Sequence, residues 1–302
     1  MGARGVAAGL GKPGTVSDLS LFNRIHNDRA ITIVEPTKFP EKFAALLFAL
    51  AMGERSWVAI NGIDREIGET LAVVDLFERP TELKLGESVG EAEVRKILKG
   101  LTLETAPIGR LDLPALRSEL DEWSSPERPG PVRVPIDHAF PVKGVGAVAL
   151  GVVEQGTLHA HDKLELYPTG KTVEVRSIQV HDVDVREAKS GDRVGLALKG
   201  VEAGELERGQ VVGAPGALTT GTELSGDHRR NCGYYRGKLA VGSSAHALVG
   251  LQFVPIKISA WDDAEVRLVP DRPVSWSPQQ SVLIADLSVT SGPRIAARAT
   301  LR

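Results

Sequence analysis

The chain has 302 residues, of which 42% are hydrophobic and 25% charged, a balance typical of a globular protein with two or three domains. With 36 Lys and Arg against 39 Asp and Glu, the formal net charge is −3, which excludes a protein that holds nucleic acid through bulk positive charge. The single cysteine, Cys232, excludes an intramolecular disulfide framework, and the Gly- and Ala-rich start lacks a signal-peptide core, so we expect a soluble cytoplasmic protein.

Residues 1–124 alternate strand patterns with helical patterns. The apolar spacing predicts strands at 31–35, 56–61, 81–85 and 101–105, and helices at 40–52, 68–77, 89–99 and 112–123. Asp112 is the expected N-cap of the last helix. Strands that alternate with helices of this length predict an α/β domain whose parallel sheet is covered on both faces.

The clearest linker is 125–131, which holds three prolines and one glycine. Beyond it the helical periodicity ends, and short strand patterns separated by Gly or Asp turns fill 132–213 and again 223–302. These two regions predict two small antiparallel β-barrels, the second with a strand at 235–241. Five apolar residues are expected to fill the interior of the first barrel or a domain seam: Phe140, Val145, Val148, Leu150 and Val152.

The most specific pattern lies in the predicted first barrel. The run Val134-Pro-Ile-Asp-His-Ala-Phe140 and the glycines that follow it, with Gly191-Asp-Arg-Val-Gly195 and Glu207-Arg-Gly-Gln210 farther on, resemble the second domain of elongation factor Tu. Ala147 departs from that family, which usually has Thr there. Because most of these residues suit turns and strand packing, the resemblance identifies an architecture and no catalytic site.

Within that resemblance, the first domain is similar to a translational GTPase domain with degenerate nucleotide motifs. Glu35 stands where the family has the aspartate that holds magnesium indirectly, and the guanine-reading N-K-x-D is absent, with Lys84 as its only echo. A remnant of the phosphate loop is expected at Gly9, Gly11, Lys12 and Thr15. Pro13 fills the hydroxyl position and has no N–H to offer a phosphate.

Only residues 1–4 precede the glycines of this remnant, so the strand that launches a phosphate loop is expected to be lost, or to lie upstream of a start codon placed too late. The run at 10–22 resembles archaeal paralogues related to elongation factor Tu and to the selenocysteine-specific factor. The resemblance implies a degenerate P-loop GTPase-like α/β domain followed by two antiparallel barrels.

The same resemblance implies a translation factor that associates with tRNA or the ribosome and has lost GTP hydrolysis, with GTP as a possible cofactor and no catalytic residue. Two alternatives stay open. One is a functional GTPase with a truncated N-terminus, and the other is a non-catalytic scaffold whose protein partner docks on the seam between the α/β domain and the barrels.

The regional charges single out the last barrel. Residues 223–302 carry 10 basic and 7 acidic side chains, whereas 1–130 carry 16 and 20. Arginines and lysines meet RNA phosphates and aromatic rings meet bases or sugars, so the basic and aromatic run at 227–238 is the candidate RNA site. Its members are Arg229, Arg230, Tyr234, Tyr235, Arg236 and Lys238.

The pair His159 and His161 lacks an evident third ligand nearby, so we expect surface histidines there and no metal site.

Overall fold

The computed structural model describes residues 5–27, 29–262 and 265–302. The chain forms two compact units. The first unit comprises residues 1–124, Arg230–Leu239 and Leu283–Arg298, and the second comprises Ser125–Arg229, Ala240–Val282 and Ala299–Arg302. Within the described ranges no helix is both long and apolar enough to cross a membrane.

The N-terminal part of the first unit is an α/β domain. Its helices are α1 (Val6–Leu10), α2 (Phe43–Met52), α3 (Arg65–Phe77), α4 (Glu91–Leu98) and α5 (Leu113–Glu122). Its strands are β1 (Lys12–Val16), β2 (Ser20–His26), β3 (Arg29–Glu35), β4 (Ser56–Ile60), β5 (Thr81–Leu85) and β6 (Ile108–Arg110), and a short 3₁₀ helix spans Thr102–Thr105.

The strands of this domain form two sheets instead of the single parallel sheet that the sequence predicts. Strands β1, β2 and β3 form an antiparallel sheet, and β4, β5 and β6 form a parallel one. Helix α1 and helix α5 pack together through Leu10, Leu116 and Leu120, with Ile33 of β3 and Trp57 of β4 against them. Side chains of both sheets therefore share one core.

Two predicted elements of the α/β domain differ from the structure. The segment 101–105 is a 3₁₀ helix because the carboxylate of Asp75, on α3, accepts hydrogen bonds from the N–H (2.6 Å) and hydroxyl (2.7 Å) of Thr102. Helix α2 begins at Phe43, and the residues from Thr37 onward form turns. The capped helix at 112–123 is confirmed, with Asp112 accepting from the N–H of Ala115.

The first barrel belongs to the second unit. Its strands are β7 (Arg133–Val142), β8 (Gly146–Val152), β9 (Thr157–His159), β10 (Lys163–Tyr167), β11 (Lys171–Val180), β12 (Val183–Val185), β13 (Glu187–Lys189), β14 (Arg193–Lys199) and β15 (Val211–Gly213). The order is β10-β15-β7-β8-β14-β11-β12, and pairing of β10 with β11 closes six of these strands into an antiparallel barrel. The predicted fold of this region is confirmed.

The interior face of β8 is the opposite of the predicted one. Ala147, Ala149 and Val153 are buried in the barrel core, whereas Val148, Leu150 and Val152 are only partly buried. Phe140 and Val145 remain 41% and 38% exposed. Because successive strand residues face opposite sides, a one-residue change of parity moves every side chain of the strand. Small residues fit inside at Gly151, where a Cβ would lie 2.3 Å from the carbonyl oxygen of Pro135.

The second barrel contains β16 (Thr219–Gly221), β17 (Leu224–Asn231), β18 (Ser244–Val249), β19 (Gln252–Trp261), β20 (Val266–Pro270), β21 (Val274–Trp276), β22 (Ser281–Ala285) and β23 (Ile295–Leu301). Six of these strands close in the order β17-β20-β19-β18-β22-β23. The strand predicted at 235–241 is wrong, since Cys232 to Ser243 form turns and extended loop. The strand lies earlier and carries Arg229 and Arg230 near its end.

Candidate nucleotide and RNA sites

The carboxyl edge of the parallel sheet is the place where open α/β sheets bind ligands. Three loops meet there, one after each of β4, β5 and β6. They are already joined to each other. The N–H of Gly86 donates to the carbonyl of Ile60 at 2.8 Å, and the hydroxyl of Ser88 donates to the carbonyl of Asn61 at 3.4 Å.

The residues expected as a phosphate-loop remnant do not form one loop. Gly9 lies in helix α1, where its carbonyl accepts two hydrogen bonds from the Arg117 guanidinium at 2.6 and 2.9 Å. Gly11 ends that helix, and Lys12 and Thr15 lie on β1, with Lys12 opposite Asn23 of β2. A phosphate loop needs consecutive N–H groups around an anion at a helix N-terminus, and a hairpin strand directs its N–H groups to the neighbouring strand.

The helices that follow the parallel strands carry acidic residues at their N-termini. Asp64 caps α3 by accepting from the N–H of Ile67 at 2.8 Å, and Asp112 caps α5. Glu91 and Glu93 occupy the first turn of α4. Carboxylates there use the free N–H groups and the positive end of the helix dipole, and they repel a triphosphate.

Lys84, the only echo of the guanine-reading motif, is paired with carboxylates. Its ammonium lies 3.0 Å from Glu119 and 2.9 Å from Glu82, and its side chain is 8% exposed. Burial opposes the charge on Lys84, but the hydrogen bonds to Glu82 and Glu119 outweigh it and raise the pKa of the ammonium above its usual value. Lys84 is therefore a charged structural group of the domain interior.

Arg110 holds the loop that follows β5. Its guanidinium donates to the carbonyls of Gly86 (3.0 Å) and Val89 (3.1 Å). These contacts fill the position at which a base-reading side chain would follow β5, so the loop is braced by the protein itself.

Half of the candidate RNA residues have partners within the first unit. Arg230 forms ion pairs with Asp75 at 3.0 Å and with Glu78 at 3.2 Å, and it also donates to the carbonyl of Asp75. Asp75 is 4% exposed. Arg230 therefore joins the second barrel to helix α3.

The two tyrosines of the segment are anchored through their hydroxyl groups. Tyr234 shares its hydroxyl between the carbonyls of Ile97 (3.2 Å) and Lys99 (3.4 Å) at the end of α4, and its side chain stays 37% exposed. Tyr235 is half-buried and donates to the carboxylate of Asp286 at 2.5 Å. Burial, and after it the hydrogen bond to Asp286, raise the pKa of Tyr235.

Arg236 and Lys238 are exposed. Gly292, at φ +87°, approaches this segment so closely that a Cβ would lie 3.2 Å from both Cγ of Arg236 and the carbonyl oxygen of Tyr234. In the second unit, Arg229 places its guanidinium 4.5 Å from the ring centroid of Trp261, a cation–π arrangement.

The sequence did not single out the acidic side of α3 or its partners. Arg294 holds Glu69 with two guanidinium hydrogen bonds of 2.9 and 2.6 Å and with its own N–H at 2.9 Å. The same guanidinium lies 4.6 Å from the ring centroid of Phe43, and Arg298 pairs with Glu78. Two buried carboxylates on a helix, Glu69 and Asp75, were the available signal, because buried acids need cationic partners.

The histidine pair is peripheral. His159 lies 3.7 Å from Asp162 and 3.8 Å from Glu187, and His161 lies 3.9 Å from Glu174. Across the ranges 5–27, 29–262 and 265–302, no three His, Cys, Asp or Glu residues group in a way that could hold a metal ion.

Comparison with known proteins supports the architecture. The family model of elongation factor Tu domain 2 matches residues 146–213. The uncharacterized protein MJ0325 of Methanocaldococcus jannaschii is 34% identical over 284 residues, which cover 93% of this chain and 92% of that protein. Elongation factor 1-alpha of Saccharolobus solfataricus is 41% identical over 104 residues, so the match spans 34% of this chain and only 24% of that relative.

Two solved structures have the same fold. Translation elongation factor SelB of Methanococcus maripaludis, in complex with the GTP analogue GppNHp, superposes with a TM-score of 0.84 at 21% identity, over 100% of this chain and 76% of that one. A bacterial selenocysteine-specific elongation factor gives a TM-score of 0.79 at 19% identity, over 94% of this chain and 51% of that one. An α/β domain followed by two antiparallel barrels is thus common to all three.

Proposed function

Because this chain belongs to the same family as MJ0325 of Methanocaldococcus jannaschii and is related to the translational GTPases of elongation factor Tu and SelB type, we propose that it is a tRNA- or ribosome-associated translation factor. In this proposal it acts in the cytoplasm and has lost GTP hydrolysis.

The observation that carries the loss of hydrolysis is the carboxyl edge of the β4-β5-β6 sheet. Phosphoryl transfer depends almost entirely on positioning and on neutralising phosphate charge. At this edge Asp64 and Asp112 cap helices, Arg110 braces a loop, and Lys84 is paired with two glutamates. The residues present do not fit a bound GTP, so we derive no chemical step through it.

Nucleotide binding is tested by thermal unfolding with and without GTP and Mg²⁺. A ligand at about 100 times its Kd stabilises a protein by about 2.7 kcal/mol, which raises the Tm measurably. We expect no shift of the Tm and no phosphate release, with the SelB protein as the positive control. Micromolar GTP affinity together with hydrolysis that Lys12→Ala abolishes would overturn this part and favour the functional GTPase.

The association with RNA is supported by exposed basic residues in the second barrel, chiefly Arg236 and Lys238. Arg230, Tyr234 and Tyr235 support this surface from beneath through their protein contacts. Crosslinking of the purified protein followed by sequencing of the recovered RNA is the test. We expect tRNA or ribosomal RNA, with crosslinks at Arg236 or Lys238.

The protein-binding scaffold is the competing function. It would be favoured if the protein binds neither tRNA nor ribosomal RNA in filter binding even at low salt, where phosphate contacts are strongest. The expected result is binding that weakens steeply as salt is added.

A further inference from the structure

We propose that the RNA-binding surface extends from the second barrel onto the C-terminal end of helix α4, with Lys96 and Lys99 as phosphate contacts. This inference rests on the proposed RNA association, and it adds a second structural element to the surface that Arg236 and Lys238 begin.

Tyr234 joins the two elements. Its hydroxyl lies 3.2 Å from the carbonyl of Ile97 and 3.4 Å from that of Lys99. The last carbonyls of a helix have no partner inside it, so the tyrosine satisfies groups that would otherwise need water. This contact fixes the barrel segment beside the end of α4, inside the first unit.

The charge around Tyr234 is positive. Lys96 and Lys99 are exposed at the end of α4, where the helix dipole favours cations. Arg236 and Lys238, also exposed, follow Tyr234 by two and four residues. Four cations therefore accompany one partly exposed tyrosine ring in a region whose overall charge is negative.

The carboxylates of these segments are engaged or distant. Glu104 accepts from the N–H of Gly100 at 3.1 Å, and Asp286 accepts from Tyr235 and Ser288. Glu91 pairs with Arg95 at 3.3 Å. Glu93 lies in the first turn of α4, at the end away from Lys99. The field at the C-terminal end of α4 is thus set by the lysines.

This composition fits the phosphate backbone of an RNA stem. Unpaired strands are held by a series of aromatic rings on which successive bases stack. Among the described residues of this surface, Tyr234 alone offers an exposed ring, since Tyr235 is half-buried against Asp286. Double-stranded RNA is recognised mainly through its phosphates and sugars, which exposed lysines and arginines can contact.

The test measures binding of a fluorescein-labelled RNA duplex to the whole protein over a series of KCl concentrations. The variant Lys96→Ala/Lys99→Ala is compared with Lys42→Ala/Lys163→Ala, which removes the same charge from two other exposed lysines. We expect the first variant to weaken binding and to lower the slope of log K against log salt by about 2, about one for each phosphate contact, and the control to change neither. Equal thermal unfolding of the two variants establishes that both are folded.

The outcomes separate this inference from the proposed function. If the wild-type protein does not bind the duplex or tRNA at any salt concentration, the proposed RNA association fails. If it binds, and Arg236→Ala/Lys238→Ala weakens binding while Lys96→Ala/Lys99→Ala behaves like the control, the association stands and the extension onto α4 is overturned.

Discussion

Asp137 explains at the level of one side chain why the elongation factor Tu pattern recurs in this chain. It is 1% exposed in the first barrel, where its two carboxylate oxygens lie 2.5 and 2.9 Å from the guanidinium nitrogens of Arg193. Nδ1 of His138 lies 2.7 Å from the same carboxylate, and Arg208 donates to the Asp137 carbonyl. The 134–140 and 191–195 runs are therefore joined by a buried ion pair.

Removing that carboxylate is expected to destabilise the barrel. Asp137→Ala leaves Arg193, whose side chain is 12% exposed, without its counter-ion. Loss of one partner of a buried ion pair costs about 3–5 kcal/mol of unfolding free energy. Urea denaturation measures this loss. Additive effects of Asp137→Ala and Arg193→Ala in a double-mutant cycle would show that the two groups are not coupled.

The same carboxylate predicts a pH dependence. Burial opposes the charge on Asp137, but the hydrogen bonds from His138 and Arg193 outweigh it and lower its pKa in the folded protein. The ion pair thus contributes stability above the unfolded-state pKa of about 3.9, and this contribution is lost as the pH falls through the lower folded-state value. Unfolding free energy measured from pH 6 downward should fall more steeply for the wild type than for Asp137→Asn. Parallel curves would contradict this assignment.

Among the elements, helix α3 is the one that fastens the α/β domain to the barrel segments of the first unit. It supplies Glu69 and Asp75, and Glu78 follows it in a left-handed conformation (φ 53°) that ends the helix. Their partners are Arg294, Arg230 and Arg298. Three arginines of the second barrel thus meet three carboxylates of one helix.

Arg294→Ala is expected to lower the unfolding free energy by about 3–5 kcal/mol, because it leaves the buried carboxylate of Glu69 unpaired. The double variant Glu69→Leu/Arg294→Met removes both charges and should recover most of the loss, since apolar replacement of a buried pair is often neutral. Chemical denaturation of the three proteins checks this. A double variant as unstable as Arg294→Ala would assign the loss to packing instead of charge.

Local patterns predicted the elements whose causes are local. The cap at Asp112 and the strands β4 and β5 follow from neighbouring residues, and the barrel follows from a run of glycines and apolar residues. Distant contacts decided the rest. Thr102 turns into a 3₁₀ helix because Asp75, 27 residues earlier, binds it, and Arg230 meets that same aspartate across 155 residues of sequence. A pattern of basic residues predicts charge on a surface, but not which of the charges the protein itself uses.

At the scale of the whole molecule, the two units share the strands of one closed barrel. The boundary between them falls inside β17, after Arg229, inside β22, after Val282, and inside β23, after Arg298. A closed barrel leaves no sheet edge unpaired, so releasing any of these strands exposes backbone groups on both of its neighbours. Neither unit can therefore unfold completely while the barrel in the other stays intact.

We expect the two units to unfold as one cooperative system. Hydrogen exchange, followed peptide by peptide at rising urea, should give the same limiting free energy for α3 in the first unit and for β18 and β19 in the second. Arg294→Ala alters contacts of the first unit alone, yet it should lower both values equally. A loss confined to peptides of the first unit would show that the shared strands do not couple the two, and that the barrel can open without unfolding the rest.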